Sequence, residues 1–144
     1  MKFEAVDDGY LLRLERGEEI VETLTRFASA NRIPSGVLSG IGAADRIRCG
    51  YFDPASGGYV EEAFDGNLEI LSLSGNLSWA EGRPLPHIHI VFSDEEMRAR
   101  GGHLIEGHVS VTCEIRLRTF SRRLERTHDP ATGLKLLDLR ETVE

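Results

Sequence analysis

The sequence predicts an α+β domain, a largely antiparallel sheet of about seven strands with one main helix packed on a face. Three observations carry this. The segment "GEEIVETLTRFASANRIP" at 17–34 places apolar residues at helical spacing. Nearly everything after it alternates as strands do. The pattern Asp-Pro-Ala-Ser/Thr-Gly occurs twice, each time between strand-like runs. A chain of 144 residues suits one core, so residues 1–144 are expected to form a single domain.

Taken in order, "YLLRL" at 10–14 reads as a short strand. In the helix, Ile20, Leu24, Phe27 and Ala28 share a face. Glu18, Glu19 and Glu22 lie near its start, where the helix dipole favours negative charge, and Pro34 closes it. "SGVLSGIGAADRIRCGYFD" at 35–53 is rich in β formers broken by glycines, and "DPASGG" at 53–58 reads as a hairpin end. In "NLEILSLSGNLSW" at 67–79, alternation puts Leu71 and Leu73 on one face and Leu68 and Ile70 on the other. "PHIHIVF" at 86–92 and "HVSVTCEIRLRTF" at 108–120 are further strands. "SDEEMRARGG" at 93–102 reads as a tight connection in which Ser93 and Glu96 form a capping box around at most one helical turn. "DPATG" at 129–133 is a second hairpin end. Strands that are apolar on both faces need more cover than one helix supplies, so contact between copies of the chain is expected on the bare face.

Composition narrows the function. There are 24 acidic residues against 17 basic, a net charge of −7, where a duplex-binding domain shows a basic excess. The two basic stretches are "RIR" at 46–48 and "RLRTFSRRLER" at 116–126. In the second, Arg116 and Arg118 alternate with Ile115 and Leu117, as on the solvated face of a strand. Cys49 and Cys113 sit in alternating apolar rows and read as reduced, buried thiols. No apolar run has the length of a membrane span, and the N-terminus has no signal-peptide pattern, so a cytoplasmic location is expected.

The chain has five histidines, and three of them are grouped as "HIH" at 87–89 and "GGH" at 101–103. On a strand, residues i and i+2 face the same way, so His87 and His89 project together while Ile88, Ile90 and Phe92 face the core. Gly101 and Gly102 allow a turn that could bring His103 beside the pair. Imidazole suits zinc, with nickel, copper or iron as other divalent choices. Three protein ligands leave a tetrahedral position open, which is the pattern of reactive sites. His108 is a candidate fourth ligand, and His128 beside a turn reads as surface.

The stretches "GEEIVETLTRFASANRIPSGVLSGIGAADRIRCGYFD", "GNLEILSLSGNLS", "PHIHIVFSD", "GGHLIEG" and "VTCEI", in that order, resemble the PPC domain shared by plants and prokaryotes. The resemblance runs from about residue 10 to about residue 139, and "LEILSLSGN" with "GGHL" is its most specific part. It implies a homotrimer and a zinc-type ion at His87, His89 and His103. Plant members are described as DNA-binding and regulatory proteins because the domain is joined there to an AT-hook. The nearest segment here is "EGRP" at 81–84, with Glu81 where the hook has its first arginine and no basic flanks. The expectation is therefore a non-enzymatic, metal-binding trimer with a protein partner, whose DNA association is indirect or weak. The histidine pattern is also similar to that of acetolactate decarboxylase. That likeness supplies the alternative, a zinc-dependent lyase or hydrolase acting on a small polar substrate. Such chemistry needs an acid/base, for which Glu69 and Glu106 are the candidates, and a cation for the substrate carboxylate, for which no arginine stands out in the sequence.

Overall fold

Most of this chain is strand, and the computed structural model, which describes residues 1–140, shows how so much strand is buried. The elements are β1 (Lys2–Val6), β2 (Gly9–Glu15), α1 (Ile20–Ala30), β3 (Ser35–Asp53), β4 (Gly58–Ala80), β5 (Arg83–Ser93), β6 (Ala99–Phe120), β7 (Arg126–His128) and β8 (Lys135–Leu137). Six strands form one antiparallel sheet in the order β1-β2-β6-β3-β4-β5, and β7 and β8 make a separate hairpin. Strand β5 also pairs with β6. The run β6-β3-β4-β5 therefore closes on itself at one end, which satisfies the edge of β5 within the chain.

The helix forms as its sequence predicts. Glu19 caps it, accepting from the Val21 amide at 3.1 Å, and also accepts from the Gly107 amide of β6 at 3.0 Å. One carboxylate thus starts the helix and ties it to the sheet. Ile20, Leu24, Phe27 and Ala28 are buried in the core with Leu73, Leu77, Ile88, Ile90 and Phe92. Asn31 ends the helix, its side-chain amide donating to the Phe27 carbonyl at 2.9 Å. Both predicted hairpin ends are formed. Asp53 accepts from Ala55, Asp129 accepts from Thr132, and Gly57 and Gly133 take φ of 69° and 73°. Cys49 and Cys113 are buried and unbonded, and burial pushes the Cys113 thiol up to about 12.

Three expectations change. The strand count is six plus two, because Lys2–Val6 pairs with β2 and a short hairpin follows β6. Residues 94–98 form no helical turn. Asp94, not Ser93, organises the connection, accepting from the Glu96 and Arg98 amides at 3.1 and 3.0 Å. Leu71 and Leu73 do not share a face. Leu71 is the extra residue where the β4–β5 register shifts between Ile70 and Ser72, so Leu73 is buried and Leu71 is 51% exposed. Similar shifts in the β3–β6 ladder leave Val111 71% exposed between buried Val109 and Cys113.

Close approach of β4 to β5 depends on Gly75, where a Cβ would stand 2.0 Å from the His87 carbonyl oxygen. Gly75→Ala is expected to destabilise the protein by about 2 kcal/mol or more. Gly58→Ala, where a Cβ meets nothing within 4 Å, is the control and should be near neutral. Urea unfolding of the two variants measures this, and equal midpoints would show that β4 and β5 can separate at no cost.

A three-histidine site beside a half-buried arginine

The closure of the sheet builds the site. In the β5–β6 ladder His89 stands directly opposite His103, with Ile90 opposite Gly102 and Val91 opposite Gly101. His103 also faces Gly50 of β3, and a Cβ at Gly102 would lie 2.7 Å from the Gly50 carbonyl oxygen. The glycine pair therefore acts by admitting β3 and β5 at once, one on each side of β6. On β5, Ile88, Ile90 and Phe92 are buried, and His87 and His89 project from the other face, as strand alternation predicts.

The three rings converge. His87, His89 and His103 each offer a nitrogen, and these atoms lie within 4.8 Å of one another. Ring centroids are 5.0 Å apart for His87 and His103, 5.3 Å for His87 and His89, and 5.6 Å for His89 and His103. Nδ1 of His103 is buried and has no hydrogen-bond partner among the described residues. A buried ring nitrogen without a partner is costly, and a cation at the centre of the three rings would satisfy it. Burial in the first place, then Arg126 and the neighbouring rings, pushes the His87 imidazolium down to about 4. Burial also lowers His103, with help from His89 and Arg126. Neutral imidazole is the form that ligates metal, so the residues present fit a divalent transition ion.

The other sequence candidates lie elsewhere. His108 Nε2 is 2.7 Å from Glu106 Oε1, and neither joins the three rings. Glu106 is held well below the usual carboxylate range by His108 and by Arg48, whose guanidinium donates to it at 3.2 and 3.3 Å. Glu69 is exposed and stands opposite Ser93, four positions along β5 from His89, or about 13 Å at the usual strand rise. The structure therefore brings the three histidines together and neither carboxylate with them.

Two residues of the site gave no signal in the sequence. Arg126, the first residue of β7, is half-buried, and its Nη2 lies 2.9 Å from Asn76 Oδ1 and 3.1 Å from His87 Nδ1. Nε donates to Ser78 Oγ at 2.8 Å and Nη1 to the Lys135 carbonyl at 2.8 Å. Trp79 positions this segment. Its amide donates to the Leu124 carbonyl, its indole donates to the Ile33 carbonyl, and Arg123 stacks 3.9 Å above its ring. The second residue is Tyr59 of β4, whose ring lies 5.0 Å from that of His103. The basic run at 116–126 is thus divided. Arg116 and Arg118 both pair with Asp8, and Arg126 turns inward.

Comparison with known proteins adds the following. The sequence pattern of the Plants and Prokaryotes Conserved (PCC) domain matches residues 1–121. A plant- and prokaryote-conserved protein of Pyrococcus horikoshii is 31% identical, with a TM-score of 0.86 over 98% of this chain and 97% of that one. A metal-containing protein of Archaeoglobus fulgidus is 34% identical, with a TM-score of 0.83 over 94% and 96%. A candidate DNA-binding protein of Ralstonia eutropha JMP134 is 29% identical, with a TM-score of 0.91 over 96% of each chain. The bifunctional protein GlmU of Synechococcus sp. (strain JA-3-3Ab) is 34% identical over 138 residues, and the chain spans 21% of its length. Acetolactate decarboxylase of Bacillus subtilis is 15% identical, with a TM-score of 0.56 over 86% of this chain and 56% of that one, a likeness of fold alone.

The low His87 value sets a pH dependence for the metal-free protein. Folded His87 stays neutral to about 4, whereas the unfolded ring protonates near 6.5. Above 6.5 both states are neutral and the ring adds no slope. As pH falls from 6.5 towards 4, only the unfolded chain gains the proton, so stability should drop, and the drop should level off below that range. Urea midpoints between pH 7 and pH 5 test this above the ordinary glutamate range. His87→Gln should reduce the slope to the share that His103, also lowered by burial, contributes, and an unchanged slope in that variant would place the titration elsewhere.

Proposed function

The chain belongs to the Plants and Prokaryotes Conserved (PCC) domain family, and from that premise we propose that it is a metal-binding homotrimeric domain that acts by binding, not by catalysis. The observation that carries this reading is the convergence of His87, His89 and His103 around the unpartnered Nδ1 of His103. These three residues would hold zinc or another divalent transition metal. The metal-containing relative from Archaeoglobus fulgidus supports the same assignment. When bound, such an ion supplies Lewis acidity, and among the described residues no fourth side chain joins the three rings.

Trimer formation is supported by the sheet face that α1 leaves bare. Leu11, Ile41 and Leu71 are each at least 50% exposed there, along a groove of about 710 Å³ that none of the three histidines lines. A face of this kind needs a partner, and a second and third copy of the chain supply one by symmetry. The DNA-binding description of the Ralstonia relative extends to this chain only as indirect or weak association. The net charge is −7, and Arg46, Arg48, Arg116 and Arg118 are all paired with carboxylates of the chain itself. Among the described residues no helix is long and apolar enough to cross a membrane.

A second reading, a zinc-dependent lyase or hydrolase, is favoured by Arg126, a cation beside the histidines of the sort that a carboxylate substrate needs. The placement of Glu69 and Glu106 away from the three rings favours binding over catalysis. Metal analysis and sedimentation test the proposal together. The purified protein should carry about one zinc-type ion per chain and sediment as a trimer. His87→Ala should weaken zinc binding by about 100-fold or more, since even residues that only support ligands cost 10–100-fold. A folded protein that binds no transition ion after chelation and reloading would sink the metal reading. A monomer would sink the trimer. Duplex affinity that persists at moderate salt would overturn the DNA statement.

A further inference from the structure

Arg126 is a half-buried cation whose guanidinium partners among the described residues are all neutral: Ser78 Oγ, the Lys135 carbonyl, Asn76 Oδ1 and His87 Nδ1. Other arginines of the chain behave differently. Arg48 pairs with Glu61 and Glu106, Arg98 with Asp94 and Glu96, and Arg116 and Arg118 with Asp8. Those are exposed or near-surface pairs, whereas burial lowers the pKa of Arg126 below the ordinary value. Removing a charge from water without a counter-ion is unfavourable, so a binding role is the simplest account of keeping it there.

The hydrogen bond to His87 makes the account specific. Arginine only donates, so His87 Nδ1 accepts and the ring proton rests on Nε2. An ion at Nδ1 takes the lone pair that Arg126 uses. An ion at Nε2 sends the proton to Nδ1, which then cannot accept. Either way, loading the three histidines releases one N–H of Arg126 Nη2, while the bonds to Ser78, Asn76 and Lys135 can persist. Nη1 has a second N–H with no partner among the described residues. One free donor on each terminal nitrogen matches the two oxygens of a carboxylate. An ion would also place positive charge beside an arginine that has no negative partner among the described residues, so a bound anion would relieve both. Tyr59, against His103 and in edge contact with Phe52, gives the site one aromatic wall.

We propose that Arg126 makes this a carboxylate-binding site: a small carboxylic acid anion seats on its guanidinium beside the ion held by His87, His89 and His103, and ion and anion bind cooperatively. This rests on the metal reading above. Arg126 lies in β7, beyond the residues that the family pattern matches.

The test is a cobalt titration of the metal-free full chain in a carboxylate-free buffer, with and without acetate, read by visible absorption and by competition with a chelator. Acetate should tighten cobalt binding by about tenfold, within the usual range of coupling between two sites, and should change the cobalt spectrum. Arg126→Gln should bind cobalt at least as tightly without acetate, because a repelling charge and a competing donor are gone, and acetate should then have little effect. Arg126→Lys keeps the charge without the fork and should lose most of the enhancement. It serves also if the glutamine variant fails to fold. Two results overturn the proposal while leaving the metal site standing. One is cobalt binding insensitive to acetate in the unaltered protein, as when a carboxylate of a neighbouring copy already holds the position. The other is an acetate effect that survives in both variants. No cobalt binding at all removes the metal reading and this proposal with it.

Discussion

The pairing of β5 with β6 is the contact on which the rest of the molecule depends. A sheet of long strands exposes edges, and β5 would be one of them. Pairing His89–Ser93 with Ala99–His103 closes that edge and in the same step sets two imidazoles opposite each other. The third imidazole needs no further device, since His87 shares the face of His89 by strand alternation. The closure requires small residues where three strands meet. Gly101 and Gly102 provide them in β6, where a Cβ would come within 2.4 and 2.7 Å of carbonyl oxygens of β5 and β3. The glycines in "GGH" thus matter for the approach of backbones, and the expected sharp turn is replaced by a straight, crowded ladder.

The facing of the long strands obeys a different constraint. Where a ladder shifts register, a strand changes which face it shows, and bulges do this. Leu71 in β4 and Val111 in β6 are the outward residues at such points. Each sits in a run whose alternation, read without the bulge, places it among core neighbours. That is why the helix, the turns, the strands around the histidines and the three-ring site were legible in the sequence, while the facing of Leu71 and Val111 was not. Period-two reading holds only while pairing stays in register, and a bulge is decided by the partner strand. The consequence reaches function, because Leu71 helps make the bare face apolar enough to need a partner.

Arg126 was illegible for another reason. In sequence it ends a basic run whose earlier members are solvated or paired with Asp8, and its nearest charged neighbours, Arg123 and Glu125, pair with each other at the surface. What turns it inward is Trp79, forty-seven positions earlier, whose amide and ring hold residues 123–124 against β4. Only tertiary contact carries that information. The carboxylate candidates mislead in the opposite sense. Glu106 is close to His103 in sequence, yet with Ile105 as the extra residue where the β3–β6 register shifts, Glu106 pairs opposite Arg48, with which and with His108 it interacts.

These placements bear on whether the site reacts or binds. A reactive metal site of this type needs a group that can take up and return a proton near neutral pH, held next to the ligand. Here the nearby groups are three rings meant for the ion, an arginine that does not titrate, and a tyrosine against His103. Glu106 is kept ionised by a histidine and an arginine outside the cluster. Among the described residues the three rings have an arginine fork beside them and no placed carboxylate, which suits the proposed holding of a ligand. Occupancy of such a site would be felt where β5, β6 and β7 are tied together, since an ion held by the three histidines would join β5 to β6 and an anion would take the Arg126 donor that otherwise joins β7 to β5. The chemistry therefore favours a domain whose state depends on the ion and a small acid together.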